Sequence, residues 1–209
     1  MFQKYESEKL ACADEFEKWH EHFAALLERD RPDSENLIDF LRAGHTLCAI
    51  YGETDFTAPE TNYDRLYARF EVLVSACERI VERLLQLHGK QASMSYDFGY
   101  THYASFAAHR CRDPVLRRRA IQALRRHPRQ EGLFISTSAA NLAERLMLLE
   151  EAGLGEVKAA ADVPETKRVW LLDYTISIDE GIVDVKFFQR RTDSSPTTKT
   201  DRFVWKLVT

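Results

Sequence analysis

Up to Gly153 the apolar residues recur three or four positions apart, the period of a helix with one buried face; beyond Trp170 they recur every second position, the period of a strand. From about Tyr5 to Leu27, Phe16, Trp19, Phe23 and Leu26 share one face, and Arg31-Pro32 ends the segment. A shorter helix is predicted over Asn36 to Ile50, carried by Leu37, Ile38, Leu41 and Leu47, and Tyr51 to Asn62 reads as a connection. The strongest helical pattern runs from Tyr63 to His88, where Leu66, Phe70, Leu73, Cys77, Ile80 and Leu84 have further apolar neighbours. Such a stripe is wider than a coiled-coil seam, so this helix is expected to be central and contacted on more than one side, with Gly89 stopping it.

Thr101 to Arg110 continues the helical period, with Tyr103, Phe106 and Ala107 on one face. Asp113-Pro114 then opens another helix. The Asp113 carboxylate can accept from the free N–H groups of a first turn, and a missing N–H at Pro114 costs nothing there. Ser136, Thr137 or Ser138 is expected to cap a last helix that aligns Ala139, Leu142, Leu146 and Leu149 and ends at Gly153. Alternation then takes over in Trp170, Leu172, Tyr174, Ile176 and Ile178, in Val183, Val185 and Phe187, and in Phe203, Trp205 and Leu207. Asp179-Glu180-Gly181 reads as a tight turn, and Thr192 to Thr200 as a polar loop. The pattern therefore predicts a mostly α fold: an antiparallel array of about six helices over residues 1–160, with a small C-terminal three-stranded antiparallel β-meander over 161–209 packed on it as one structural unit.

Composition narrows the classes. Apolar residues make up 44% of the chain and charged residues 30%, as in ordinary globular proteins, and a net charge of -4 confines any basic patch to a local region. The four cysteines, Cys12, Cys48, Cys77 and Cys111, lie far apart in sequence, which points to reduced thiols and away from a structural zinc site; no metal and no cofactor is expected. The start of the chain lacks the apolar core of a secretory signal, and no run is long enough to span a bilayer, so a nuclear or cytoplasmic protein without a membrane partner is expected.

One stretch carries a resemblance. Asp97-x-Gly99, then Arg110-Cys111-Arg112-Asp113-Pro114, Arg117-Arg118-x-Ala120-Ile121-x-x-Leu124, Arg129-x-Glu131-Gly132 and a helix closing on Glu150-Glu151 resemble, in that order and spacing, the C-terminal regulatory region of fungal transcription factors with a binuclear, six-cysteine zinc cluster. Similarity extends to Trp19 upstream and to Val163-Pro164-Glu165 downstream. The resemblance implies a helical regulatory region that acts in transcriptional control without touching DNA. The DNA-reading cysteine cluster has no counterpart here, so the chain is expected to be either a fragment or a short stand-alone protein. Relatives follow the Asp-x-Gly turn with a proline pair and Leu-Tyr, where this chain has His102, Tyr103, Ala104 and Ser105.

Three sets of residues are candidates for function. Asp97, Tyr100, His102, Tyr103 and His109 gather titratable groups near that turn and could serve general acid–base catalysis, His102 being able to titrate near neutrality. His102 and His109 share a helix face but lie two turns apart, too far for an ordinary metal pair. Trp19, Tyr67, Phe70, Tyr103 and Phe106 could line a pocket for an apolar small molecule, although aromatic stripes more often serve as core. Arg117, Arg118, Arg125 and Arg126 could dock an acidic partner or phosphate, or could form a solvated face paired with Glu131, Glu144, Glu150 and Glu151.

Two functions follow as expectations. The first is a regulatory and protein-interaction domain, partnered by another protein or by itself as a homodimer, with no sequence-specific DNA contact. The alternative is a small cofactor-free enzyme of secondary metabolism, a cyclase or isomerase that arose on this scaffold.

Overall fold

The computed structural model describes residues 2–29, 35–54, 58–96, 99–132, 134–177, 179–190 and 197–204. Among them are six α-helices: α1 (Phe2–Arg29), α2 (Glu35–Glu53), α3 (Tyr67–His88), α4 (Tyr100–Arg110), α5 (Pro114–Arg126) and α6 (Ser136–Glu151). The fold is mostly α, closed by an antiparallel C-terminal sheet of β4 (Val169–Ser177), β5 (Ile182–Gln189) and β6 (Thr197–Val204) in that order. A second small sheet joins β1 (Ser93–Ser95), β2 (Arg129–Glu131) and β3 (Phe134–Ile135), with β1 parallel to β2 and β3 antiparallel to it.

The wide stripe on α3 is buried on several sides. Phe70, Leu73, Val74, Cys77 and Val81 are almost inaccessible, and the helix packs against α2, α4 and α5. A 3-10 turn, Glu60–Leu66, leads into it, so Tyr63 and Leu66 belong to this turn and not to the helix proper. Gly89 takes φ +62° at its end and donates its N–H to Leu85 O, as a glycine stop should.

The Asp113 cap is present: its Oδ1 accepts from Val115 N at 3.0 Å and Leu116 N at 2.9 Å. The expected serine or threonine cap on α6 is not. The helix begins at Ser136, whose Oγ accepts from Arg129 N at 3.0 Å and so ties the helix start to β2.

The meander lies on α6. Val169, Val183, Val185 and Phe187 bury with Leu146, and Leu142, Leu149 and Leu172 pack at the margin. Its third strand begins earlier than the alternation predicts: Thr197 to Thr200, expected in a loop, pair with Gln189 to Lys186. Backbone pairing to β5 decides the matter, because threonine suits a strand and one face of an edge strand needs no apolar residue. Ile178 and Trp205 to Leu207 lie outside the described residues.

Candidate functional site

The site begins at the start of α4. Glu131, at the end of β2, places Oε2 at 3.0 Å from both Gly99 N and Thr101 N, so its carboxylate satisfies the free N–H groups of the first turn and sits at the positive end of the helix. Arg129 Nε holds the other oxygen at 2.9 Å. Gly99 and the Arg-x-Glu-Gly element of the sequence thus meet in space, and their contact sets the direction of α4. One face of that helix then presents His102, Ser105, Phe106, His109 and Arg110 to a cavity of ≈ 430 Å³.

The opposite walls come from α6, through Ser138, Ala139 and Leu142, and from the meander, through Val169, Trp170 and Leu172. Tyr51 and Phe134 close the rim. Strand residues normally alternate between faces, but the pairing of β4 with β5 shifts between Val169 and Leu171. This bulge lets consecutive residues of β4 reach one cavity.

Beneath the cavity floor lies a buried chain of alternating charges. Arg110 Nη1 meets Glu60 Oε1 at 2.6 Å, and Glu60 Oε2 meets Arg112 Nη1 at 2.8 Å. Arg112 Nη2 meets Glu150 Oε1 at 2.8 Å, and Glu150 Oε2 meets Arg117 Nη1 at the same distance. That last contact lacks hydrogen-bond geometry; Arg117 instead donates Nε–H to Ala108 O at 3.0 Å. Glu150 also accepts from Val169 N at 2.7 Å, so the network fixes the start of β4 beside the end of α4. Burial pushes the Glu150 carboxyl up, but Arg112 and Arg117 outweigh it and hold the group below its usual range.

The histidines in the wall are neutral bases. Burial, reinforced by Arg117, Arg110 and Arg112, pushes His109 down to about 3. Its Nδ1 lies 3.4 Å from Ser105 Oγ, and its buried Nε2 has no hydrogen-bond partner among the described residues. Burial also lowers His102, against a smaller opposing pull from Glu131. Its ring packs edge-on against Phe134 and Tyr103.

Of the five residues grouped for catalysis, the structure brings His102 and His109 to the cavity and takes two elsewhere. Tyr100 is buried and donates its hydroxyl to His127 O at 2.7 Å. Tyr103 turns toward α2, its ring edge-on to Phe40 and its hydroxyl against Gly44. Asp97 lies outside the described residues.

The aromatic set is likewise divided. Phe106 lines the cavity, whereas Phe70 is 1% exposed in the helical core and Tyr67 is exposed at the head of α3. Trp19 stacks on His45 at 4.8 Å where α1 meets α2, and His20 Nδ1 lies 2.8 Å from His45 Nε2 at the same contact. These three rings therefore do not line the cavity, because periodicity marks a buried helix face without saying what covers it.

The arginine set also needs correction. Arg117 is fully buried in the charge network and presents nothing to a partner. Arg118, Arg125 and Arg126 are exposed but paired within the chain, to Glu151 at 2.7 Å, Glu144 at 2.6 Å and Glu82 at 2.5 Å. Ser138, Leu142 and Trp170 in the cavity wall were not anticipated as site residues. Leu142 and Trp170 did stand out as periodic apolar positions, but no sequence signal set them against the histidine face of α4.

Among the described residues no group of three or more His, Cys, Asp or Glu side chains is placed to hold a metal, and no helix is long and apolar enough to cross a membrane. Comparisons with protein-family models, with curated proteins and with solved structures give no match to this chain.

Proposed function

We propose that the chain is a regulatory domain that responds to an apolar small molecule, similar in role to the C-terminal half of a fungal zinc-cluster transcription factor, and that it acts in transcriptional control without contacting DNA. The observation that carries this reading is the cavity between α4, α6 and the meander. A volume of ≈ 430 Å³ lined mainly by apolar side chains suits a small effector. Its wall includes Arg110, the end of the buried charge network built from the Arg-x-Arg, Arg117 and Glu150 positions of the resemblance, so an occupant would bear on the elements that hold helices and sheet together. The outward arginines are engaged by Glu151, Glu144 and Glu82, which argues against a phosphate-binding face. Trp19, Leu26 and Leu37 leave apolar surface exposed on α1 and α2, and there we place the contact with a second copy or with another regulator.

A second reading, a cofactor-free isomerase or cyclase, draws support from His102 and His109 facing the same cavity. In that case His102 is the base. One experiment separates the readings: replace the chromosomal gene by Leu142→Trp, which fills the cavity, or by His102→Ala, and follow transcripts and small-molecule products in the source organism. Regulation predicts that Leu142→Trp shifts transcript levels and His102→Ala leaves them unchanged. Level transcripts with one accumulating intermediate in His102→Ala would replace it by the enzymatic reading.

A further inference from the structure

The alternating chain Arg110–Glu60–Arg112–Glu150–Arg117 contains three guanidiniums and two carboxylates, so one positive charge is left over. Arg112 and Arg117 have no exposed side-chain surface, whereas the Arg110 side chain is 24% exposed and lines the cavity. The excess therefore reaches accessible space at Arg110. The nearby carboxylates are engaged elsewhere, Glu131 by Arg129 and the N–H groups of α4, Glu151 by Arg118 and Glu165 by the N–H groups of Glu60 and Thr61, and among the described residues no Asp or Glu lines the cavity. His109, next in the wall, is kept unprotonated by burial and by these same arginines, and any other cation entering would meet the field that repels its proton. Trp170 stands beside Arg110 in the wall, its backbone O accepting from Arg110 Nη1 at 3.2 Å. The wall thus offers a guanidinium and a positive field at the Arg110 end and hydrocarbon from Ala139, Leu142, Leu146 and Leu172 elsewhere.

We propose that the cavity selects a ligand with an apolar body and an anionic oxygen group such as a carboxylate, seated at the Arg110 end, and rejects cations of the same shape. This rests on the reading of the cavity as an effector site and gives its ligand a chemical class.

The test uses three probes with one aromatic body, naphthylpropanoate, its methyl ester and naphthylpropylammonium, titrated calorimetrically into the full chain at neutral pH. The acid is expected to bind at least about tenfold more tightly than the ammonium, the factor that one charge-assisted hydrogen bond supplies. Arg110→Met leaves a balanced network of two arginines and two carboxylates. It should abolish that preference and leave the ester's affinity unchanged, while Arg110→Lys should keep most of it. Leu142→Trp should weaken all three probes. An ammonium that binds as tightly as the acid, still blocked by Leu142→Trp, overturns the ligand class and spares the site. Failure of all three to bind, or indifference to Leu142→Trp, overturns the effector site itself. Should Arg110→Met not fold, the unaltered chain and Arg110→Lys carry the same comparison.

Discussion

The carboxylate of Glu131 occupies the space that a side chain at Gly99 would fill: a Cβ built on Gly99 stands 2.1 Å from Oε1 and 2.6 Å from Cδ. Gly99→Ala must therefore expel the group that caps α4. We expect a loss of about 2–3 kcal/mol in denaturant unfolding, the scale of an overpacked site with a lost cap. Combining it with Glu131→Ala should cost clearly less than the sum of the two, because both remove one interaction. Full additivity would show that Glu131 does not cap the helix in solution.

The arginines should divide sharply by burial. Arg112→Met takes from buried Glu150 the guanidinium that donates to it and leaves Glu60 with Arg110 alone, and is expected to cost about 3–5 kcal/mol. Arg118→Ala, Arg125→Ala and Arg126→Ala, whose pairs face solvent, should each cost less than about 1 kcal/mol. Equilibrium unfolding of the four variants decides whether the cluster works inside the protein or on its surface.

Acid should destabilise the chain in two stages. His109 lies at about 3, below its ordinary 6.5, so the unfolded chain takes up this proton first. The stability it contributes is complete above about pH 6.5 and is lost progressively as pH falls toward the folded value. His45, His102 and His127 are lowered as well, each chiefly by burial, and add to the same slope. Glu150 lies below its ordinary 4.5, so its share is present above that pH and is lost as pH falls below it. Denaturation midpoints taken at falling pH should show His109→Gln with a shallower slope between about pH 6.5 and 4.5. An unchanged slope would mean that His109 is solvated.

Thiol chemistry should sort the four cysteines into pairs. Cys12 and Cys48 are exposed, whereas Cys77 and Cys111 are buried. Burial raises both buried thiols, Cys111 to about 12. Native protein should therefore release two equivalents of chromophore rapidly with a thiol-exchange reagent and four after unfolding.

Helices announce themselves in a sequence because their apolar spacing is local, and α3 could be placed at the centre from the width of its stripe alone. The shared face of His102 and His109 was equally local, and it is the part of the site that was readable. The remainder depends on contacts between distant segments. Nothing near Trp170 or Leu142 tells that β4 and α6 form the other walls. The strands β1 to β3 are too short to show alternation, and β1 pairs in parallel with a segment beyond two intervening helices. Charge misleads for a related reason: a helical wheel places Arg117 off the apolar stripe, yet Glu150 from another helix lets it be buried.

The cap on α4 has a consequence for the order in which the chain is made. On the ribosome the first turn of α4 emerges with no acceptor for the N–H of Gly99, and the carboxylate it will use is encoded 32 residues later. By the time Glu131 itself leaves the tunnel, both α4 and α5 are already outside it. The helical hairpin can form early but stays open at its root until Glu131 arrives, when β2 joins β1 and the loop is latched at both ends together. A pause in translation that keeps Glu131 inside the tunnel while α4 is outside would hold the nascent chain with that latch undone.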